Sequence, residues 1–229
     1  MLHSFYSPLG NDRTDVYGGS RQNRMRLLLE VTEAVRAAWP ADKPLFVRLS
    51  CIDGEQSGWS IEDTVVLSRE LVANGADLID CSSRGIGPSP TARVASRVPG
   101  FQVPFAEQVR ARAHVPTMAV GLILTATQAE DILRQGRADL VCIAREALRN
   151  PHWALHAIQE LGGDRSWSLW PPQYGWWLSR RRRTAGIGRA VGRWRRPAQF
   201  MTPALAHATM FGRNDYLTGD AIGLPFSTT

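Results

Sequence analysis

Residues 60–82 read SIEDTVVLSRELVANGADLIDCS and contain the unit that decides the fold. Ser60 and Asp63 have the spacing of a capping box, which predicts that a helix begins there. Gly75 is typical of a helix stop. The apolar run DLIDCS at residues 77–82 then predicts a strand. A capped helix that passes directly into an apolar strand is typical of a helix packed on a parallel sheet.

The same alternation covers the chain from residue 20 to about residue 161. Ser20 precedes an amphipathic helix. Thr125 and Gln128 form a second capping box, and the helix that begins there ends at Gly136. We predict four strands, each followed by a helix, near residues 45–49, 77–81, 117–120 and 139–143. Continuously apolar strands in this alternation predict a parallel sheet covered by helices.

Two folds contain such an alternation. A doubly wound sheet carries a GxGxxG turn after its first strand, and residues 48–58, RLSCIDGEQSG, do not match it. A (β/α)8 barrel has eight strand–helix units in about 250 residues. The chain has 229 residues and shows four units. The sequence therefore predicts an α/β fold that is half of a TIM barrel, with its four units arranged as an arc.

Charge divides the chain into two parts. Residues 1–178 contain 18 basic and 19 acidic residues, whereas residues 179–229 contain 9 and 2. We therefore predict a half-barrel domain over residues 1–178 and an Arg-rich extension over residues 179–229, whose composition favours disorder. Clustered arginines can neutralise the phosphates of a nucleic acid. Arginine outnumbers lysine 26 to 1, as in GC-rich coding DNA, so a frame-shifted or truncated gene product is the favoured interpretation.

The composition of the chain also indicates the cellular compartment of the protein. No run approaches the roughly 18 consecutive apolar residues of a membrane span. The three cysteines, Cys51, Cys81 and Cys142, lack CxxC or Cys/His spacing. This pattern is typical of free buried thiols in a reducing compartment. We expect a cytoplasmic protein without a membrane partner.

Charged and small residues follow the predicted strands at the end where a barrel carries its active site. Arg48 lies inside the apolar run LFVRLS, where a charge is costly without a partner. It either pairs with a carboxylate on a neighbouring strand or points into a ligand site. Gly121 ends the third strand, and Ala144 and Arg145 follow the fourth. Small residues let backbone N–H groups approach an anion, and arginine is a bidentate phosphate donor, so this pattern indicates an anion site.

Longer motifs resemble a known family. RTDVYGGSRQNRMRL at residues 13–27, PLFVRLS at 44–50 and ADLVCIAREALRNPHWA at 138–154 have the order and spacing of the old yellow enzyme family. The chain resembles the bacterial xenobiotic-reductase branch of that family over residues 2 to about 178. The resemblance implies a (β/α)8 barrel that binds FMN and uses NAD(P)H to reduce activated C=C bonds of small molecules.

The resemblance also implies roles for single residues. Arg48 matches the arginine that contacts the flavin, and Gly121, Ala144 and Arg145 match the positions that hold the FMN phosphate. The usual glycine at position 144 is alanine here. Its methyl group crowds the phosphate only if the backbone needs a positive φ.

The C-terminal aromatic residues are a further expectation. Trp177 resembles a tryptophan that closes the flavin pocket on the substrate side, with Tyr174 beside it. An equally weighted alternative is that both only fasten the last segment to the exterior of the barrel.

The first residues of the chain lead to a further expectation. Met1, Leu2 and His3 match the last letters of a family segment whose leading residues bind the substrate carbonyl and whose tyrosine donates a proton. His3 follows this motif by position, so we expect a structural or incidental role for it. We also expect half an active site and no competent ene-reductase. A rival hypothesis is a non-catalytic half-barrel that forms a homo-oligomer to cover its strand edges.

Overall fold

The structure is a computed structural model that describes residues 1–83, 86 and 97–191, with side chains described as far as residue 181 in the last helix. The helices are α1 (Leu2–Tyr6), α2 (Arg21–Ala38), α3 (Ile61–Ala73), α4 (Val103–Ala113), α5 (Ala126–Arg134), α6 (Arg145–Arg149), α7 (Trp153–Glu160) and α8 (Pro172–Val191). The strands are β1 (Phe46–Ser50), β2 (Leu78–Ser82), β3 (Thr117–Ala119) and β4 (Leu140–Val141).

The four strands form one parallel sheet in the order β1-β2-β3-β4. The predicted α/β fold with a four-stranded parallel sheet is therefore confirmed. Because each right-handed crossover advances to the next strand in the same direction, the connecting helices pack on one face of the sheet. A doubly wound sheet instead reverses its strand order at a switch point. The sequential order agrees with the half-barrel interpretation, which stays a prediction.

Helix caps follow the predicted pattern. The Ser20 hydroxyl accepts a hydrogen bond from the Asn23 N–H. Ser60 and Asp63 form both halves of the predicted capping box. Thr125 caps α5 by accepting from the Gln128 N–H, but the Gln128 side chain accepts from the Leu124 N–H and not from that of Thr125, so this predicted capping box is only half formed. These contacts satisfy N–H groups that a helix start otherwise leaves without partners.

The core lies between the helices and the face of the sheet that they cover. Alternate strand residues point into it, so Leu49, Ile79, Cys81 and Ala119 are all fully buried. The opposite face of the sheet leaves Phe46 and Leu140 more than two fifths exposed. The covered face therefore carries most of the apolar burial that stabilises the sheet.

The cysteine prediction is confirmed in part. Cys51, Cys81 and Cys142 are all free thiols. Cys51 and Cys81 are fully buried, whereas Cys142 is only partly covered because it follows the short edge strand β4.

Two predictions at the C-terminal end need correction. The sequence did not indicate α6, a five-residue helix directly after β4. Disorder from residue 179 onward is wrong for residues 179–191, which continue α8 to Val191. Arginine favours helix almost as well as leucine, so a basic composition does not by itself end a helix. Residues 192–229 of the predicted disordered extension lie outside the described residues.

No helix in the described ranges is both long enough and apolar enough to cross a lipid bilayer.

Candidate functional site

A cavity of about 360 Å³ lies where the strands end at their carboxyl side. Its wall includes all four residues that the sequence indicated for cofactor binding: Arg48, Gly121, Ala144 and Arg145. They come from β1 and from the segments after β3 and β4, which are far apart in sequence. The parallel sheet brings them together because the carboxyl ends of its strands meet at one edge.

Arg48 is held in place from the neighbouring strand. It is directly opposite Asp80 in the register of β1 and β2. Its Nη1 donates to the Asp80 carboxylate at 3.1 Å, and its Nη2 donates to the Ser82 hydroxyl at 3.2 Å. Both alternatives considered for Arg48 are found together, since the side chain pairs with a carboxylate and also lines the cavity.

Asp80 contacts a candidate site residue but was not predicted from the sequence. Its side chain is 8% exposed, against 54% for that of Arg48. Burial raises the pKa of the Asp80 carboxyl, and the neighbouring Arg48 partly opposes this shift. One of its oxygens, Oδ1, is buried and has no hydrogen-bond partner among the described residues. A charged residue inside the apolar run DLIDCS was the available signal, because a buried charge needs a partner.

Gly121 is required by the shape of the cavity wall. Its φ of 112° lies in a region that residues with a side chain rarely adopt. A Cβ atom at this position would lie 3.0 Å from the side chain of Gln102. Gln102 is itself buried and donates to the carbonyl and the hydroxyl of Ser83. Gln102 was not predicted from the sequence, and its buried side chain crowds any Cβ atom at position 121.

Ala144 and Arg145 follow β4 and begin α6. Ala144 has a φ of −126°, so its backbone does not adopt the positive φ that would favour the family's usual glycine. None of the described acidic residues forms an ion pair with Arg145. Glu146 also lines the cavity, and its carboxylate pairs with Arg149 at 3.5 Å. The guanidinium of Arg145 is thus available to an anionic ligand.

Trp177 and Tyr174 are not brought to this cavity. Both lie on α8, and their side chains are more than half exposed. Neither is among the described residues that line the cavity. Trp177 packs edge to face against Trp176. Their predicted contact with a substrate stays a prediction.

His3 lies in a buried hydrogen-bond network away from the cavity wall. Its Nε2 is 2.9 Å from Oδ1 of Asp53, and Oδ2 of the same carboxylate accepts hydrogen bonds from the Ser7 hydroxyl and the Trp59 N–H. Burial alone would raise the pKa of Asp53, but these hydrogen bonds together hold it below its usual value. The network ties α1 to the segment after β1, in agreement with the structural role expected for His3.

Comparison with known proteins identifies the fold family. A family model described as NADH:flavin oxidoreductase / NADH oxidase matches residues 1–162. The chain belongs to this family. A relative named NADPH dehydrogenase from Geobacillus sp. (strain WCH70) is 50% identical over 162 residues, a match that covers 71% of this chain and 46% of the relative. The chain spans about half the length of the curated relatives it matches.

Solved structures agree with this membership of the flavin oxidoreductase family. A 2-naphthoyl-CoA reductase in complex with 2-naphthoyl-CoA is similar at a TM-score of 0.60 and 25% identity, over 72% of this chain and 25% of that one. An old yellow enzyme homologue from Zymomonas mobilis is similar at a TM-score of 0.54 and 22% identity, over 70% and 43% of the two chains. The second likeness shows the fold alone. The resemblance to the old yellow enzyme family is confirmed.

The cavity fits the FMN that the flavin oxidoreductase family implies. A flavin mononucleotide needs donors for its phosphate and for the oxygen and nitrogen atoms of its ring. Arg145 and Arg48 supply such donors from two parts of the same wall. The missing side chain of Gly121 keeps the wall open beside Gln102.

Proposed function

We propose that this chain forms the phosphate-binding part of the FMN site in an NAD(P)H-dependent oxidoreductase of the ene-reductase type. The observation that carries the proposal is the convergence of Arg48, Gly121 and Arg145 on one cavity. Family membership supports FMN as the ligand, and the name of the relatives supports NADPH as the hydride donor.

Each residue has a separate task in this proposal. Arg145 and the backbone at Gly121 bind the phosphate, because a guanidinium and exposed N–H groups suit an anion. Arg48 donates to the ring of the flavin. Asp80 and Ser82 hold the guanidinium of Arg48 in a fixed direction, so less entropy is lost when the ligand binds.

The bound flavin would accept a hydride from NAD(P)H and pass it to an activated C=C bond of a small molecule. This chain contributes mainly to holding the cofactor. The described residues that line the cavity include no histidine or tyrosine. A proton donor or a donor that polarises a substrate carbonyl is therefore missing from this wall, and loss of one such donor typically costs about 2.7–4 kcal/mol of transition-state stabilisation. We propose that the chain alone binds FMN without efficient turnover.

Equilibrium titration of the full chain with FMN, followed by flavin fluorescence, tests the proposal. Arg48→Lys keeps a positive charge beside Asp80 but loses the planar fork of donors. We expect it to weaken FMN binding several-fold. Arg149→Lys is the matched control, because Arg149 is exposed, pairs with Glu146 and does not line the cavity. No FMN binding by the unmodified chain, or equal effects of both changes, would contradict the proposal.

A further inference from the structure

One edge of the sheet opens into an apolar groove. The groove has a volume of about 540 Å³ and follows the whole of β1, between the strand and helices α1 and α2. Leu2, Leu28 and Val31 line its wall, and Phe46 forms part of the strand side. Most of its lining comes from α1, α2 and β1, and Ser82 of β2 completes it. The groove is therefore bounded by an apolar helical wall and by the outer edge of a strand.

The backbone of β1 shows which of its groups point into the groove. The Tyr6 hydroxyl accepts from the Ser50 N–H at 3.0 Å and donates to the Ser50 carbonyl at 3.3 Å. The next N–H, of Cys51, instead donates to a carbonyl of β2 at 2.8 Å. Because strand residues direct their backbone groups to the two sides alternately, those of Phe46 and Arg48 point into the groove as Ser50 does. Tyr6 closes the groove at Ser50 and leaves the rest of the edge to a partner strand.

The other edge of the sheet is β4. Among the described strands it pairs only with β3. Leu140 is 43% exposed at this edge, and Phe46 is 45% exposed at the β1 edge. Exposed apolar residues on unpaired strand edges promote pairing with another chain. The part of the chain that the structure describes thus offers an acceptor groove at β1 and, at β4, a short strand of the kind that enters such a groove.

We propose that the groove receives β4 of a second copy of this chain. All four strands run parallel in sequential order, so a two-fold axis along the strand direction places each β4 beside the β1 of the other copy, again parallel. The two contacts are identical by symmetry, and together the copies supply the eight parallel strands of a closed barrel. Residues 1–178 carry 18 basic and 19 acidic residues, so the net charge of the part that contains both strands does not oppose the association. Arg48 lines both this groove and the candidate cofactor cavity, so the pairing is tested without added flavin.

The mass of the full chain in solution tests this pairing. Sedimentation equilibrium should give twice the 25.4 kDa of one chain. Phe46→Pro removes an N–H that points into the groove and breaks no bond to β2, because proline is tolerated at the first residue of an edge strand. We expect it to raise the dimer dissociation constant at least about tenfold. Phe46→Val is the control and should leave the dimer intact, since it keeps both the N–H and an apolar side chain.

Each other outcome counts against the pairing. A monomer at all concentrations, aggregates without a dimer, or a dimer that Phe46→Pro leaves unchanged would each overturn it. If circular dichroism shows that Phe46→Pro does not fold, Leu140→Lys at the β4 edge takes its place. That variant should also dissociate the dimer, and an unchanged mass would overturn the proposal.

Discussion

Gly121 is the residue at which the site is most tightly constrained. It combines a φ of 112° with a Cβ position that meets Gln102 at 3.0 Å. Gly162 has a φ of 79°, but no atom lies within 4 Å of the position that an added Cβ would take. A substitution at Gly162 therefore measures the free-energy cost of the backbone conformation alone.

We predict that Gly121→Ala lowers the free energy of unfolding by roughly 2–3 kcal/mol, because strain and crowding add. Gly162→Ala should cost about 1 kcal/mol, from the backbone alone. Urea unfolding of both variants measures the difference. Equal costs would show that Gln102 moves aside and that the wall of the cavity is not fixed.

Arg48 and Gln102 show how far the site could be predicted from the sequence. The charge of Arg48 in an apolar strand predicted either a carboxylate partner or a ligand site, and the structure contains the pairing with Asp80. The identity of the partner was not predictable, because Asp80 is 32 positions away and meets Arg48 only through the register of β1 and β2. Gln102 was missed for the same reason, since its contact with Gly121 joins two different strand–helix units.

At the scale of elements, the turn between α7 and α8 depends on one carboxylate. Asp164 is buried and accepts hydrogen bonds from the N–H groups of Leu169 and Ser168 and from the hydroxyls of Ser166 and Ser168. Burial alone would raise the pKa of Asp164, but these hydrogen bonds lower it to about 2. A lowered pKa in the folded state means that the carboxylate stabilises the fold above its ordinary pKa, near 4.

We predict that Asp164→Asn is less stable than the unmodified chain at pH 5 and above. The difference should shrink as the pH falls from about 4 towards 2, because the carboxylate then becomes protonated in the folded chain as well. Urea unfolding of both proteins over this range measures it. A difference that does not vary with pH would mean that the charge of Asp164 has no role in the turn.

The helices and strands that could be predicted are those marked by strong local sequence patterns. The capped helices and the apolar strands came within one to three residues of their predicted positions because caps and apolar runs are local patterns. Helix α6 has only five residues, too few to show a periodicity. The continuation of α8 to Val191 was missed because composition was taken as a sign of disorder.

In the molecule as a whole, the sequential order of the parallel strands explains why the site residues lie at one edge of the sheet. Each unit adds its carboxyl-end residues beside those of the unit before, so Arg48 and Arg145 line one cavity although 97 positions separate them. We propose this cavity as the flavin site, and the proposal depends on Arg145 binding the phosphate of FMN.

The ratio of the affinities for FMN and riboflavin tests this claim most directly, because the two ligands differ only in the phosphate. The unmodified chain should prefer FMN. Arg145→Ala should weaken FMN binding by roughly 1.5–3 kcal/mol, the range for hydrogen bonds to charged groups, and leave riboflavin binding nearly unchanged. The preference would then largely disappear. A preference for FMN that survives Arg145→Ala, or an equal loss for both ligands, would contradict the claim.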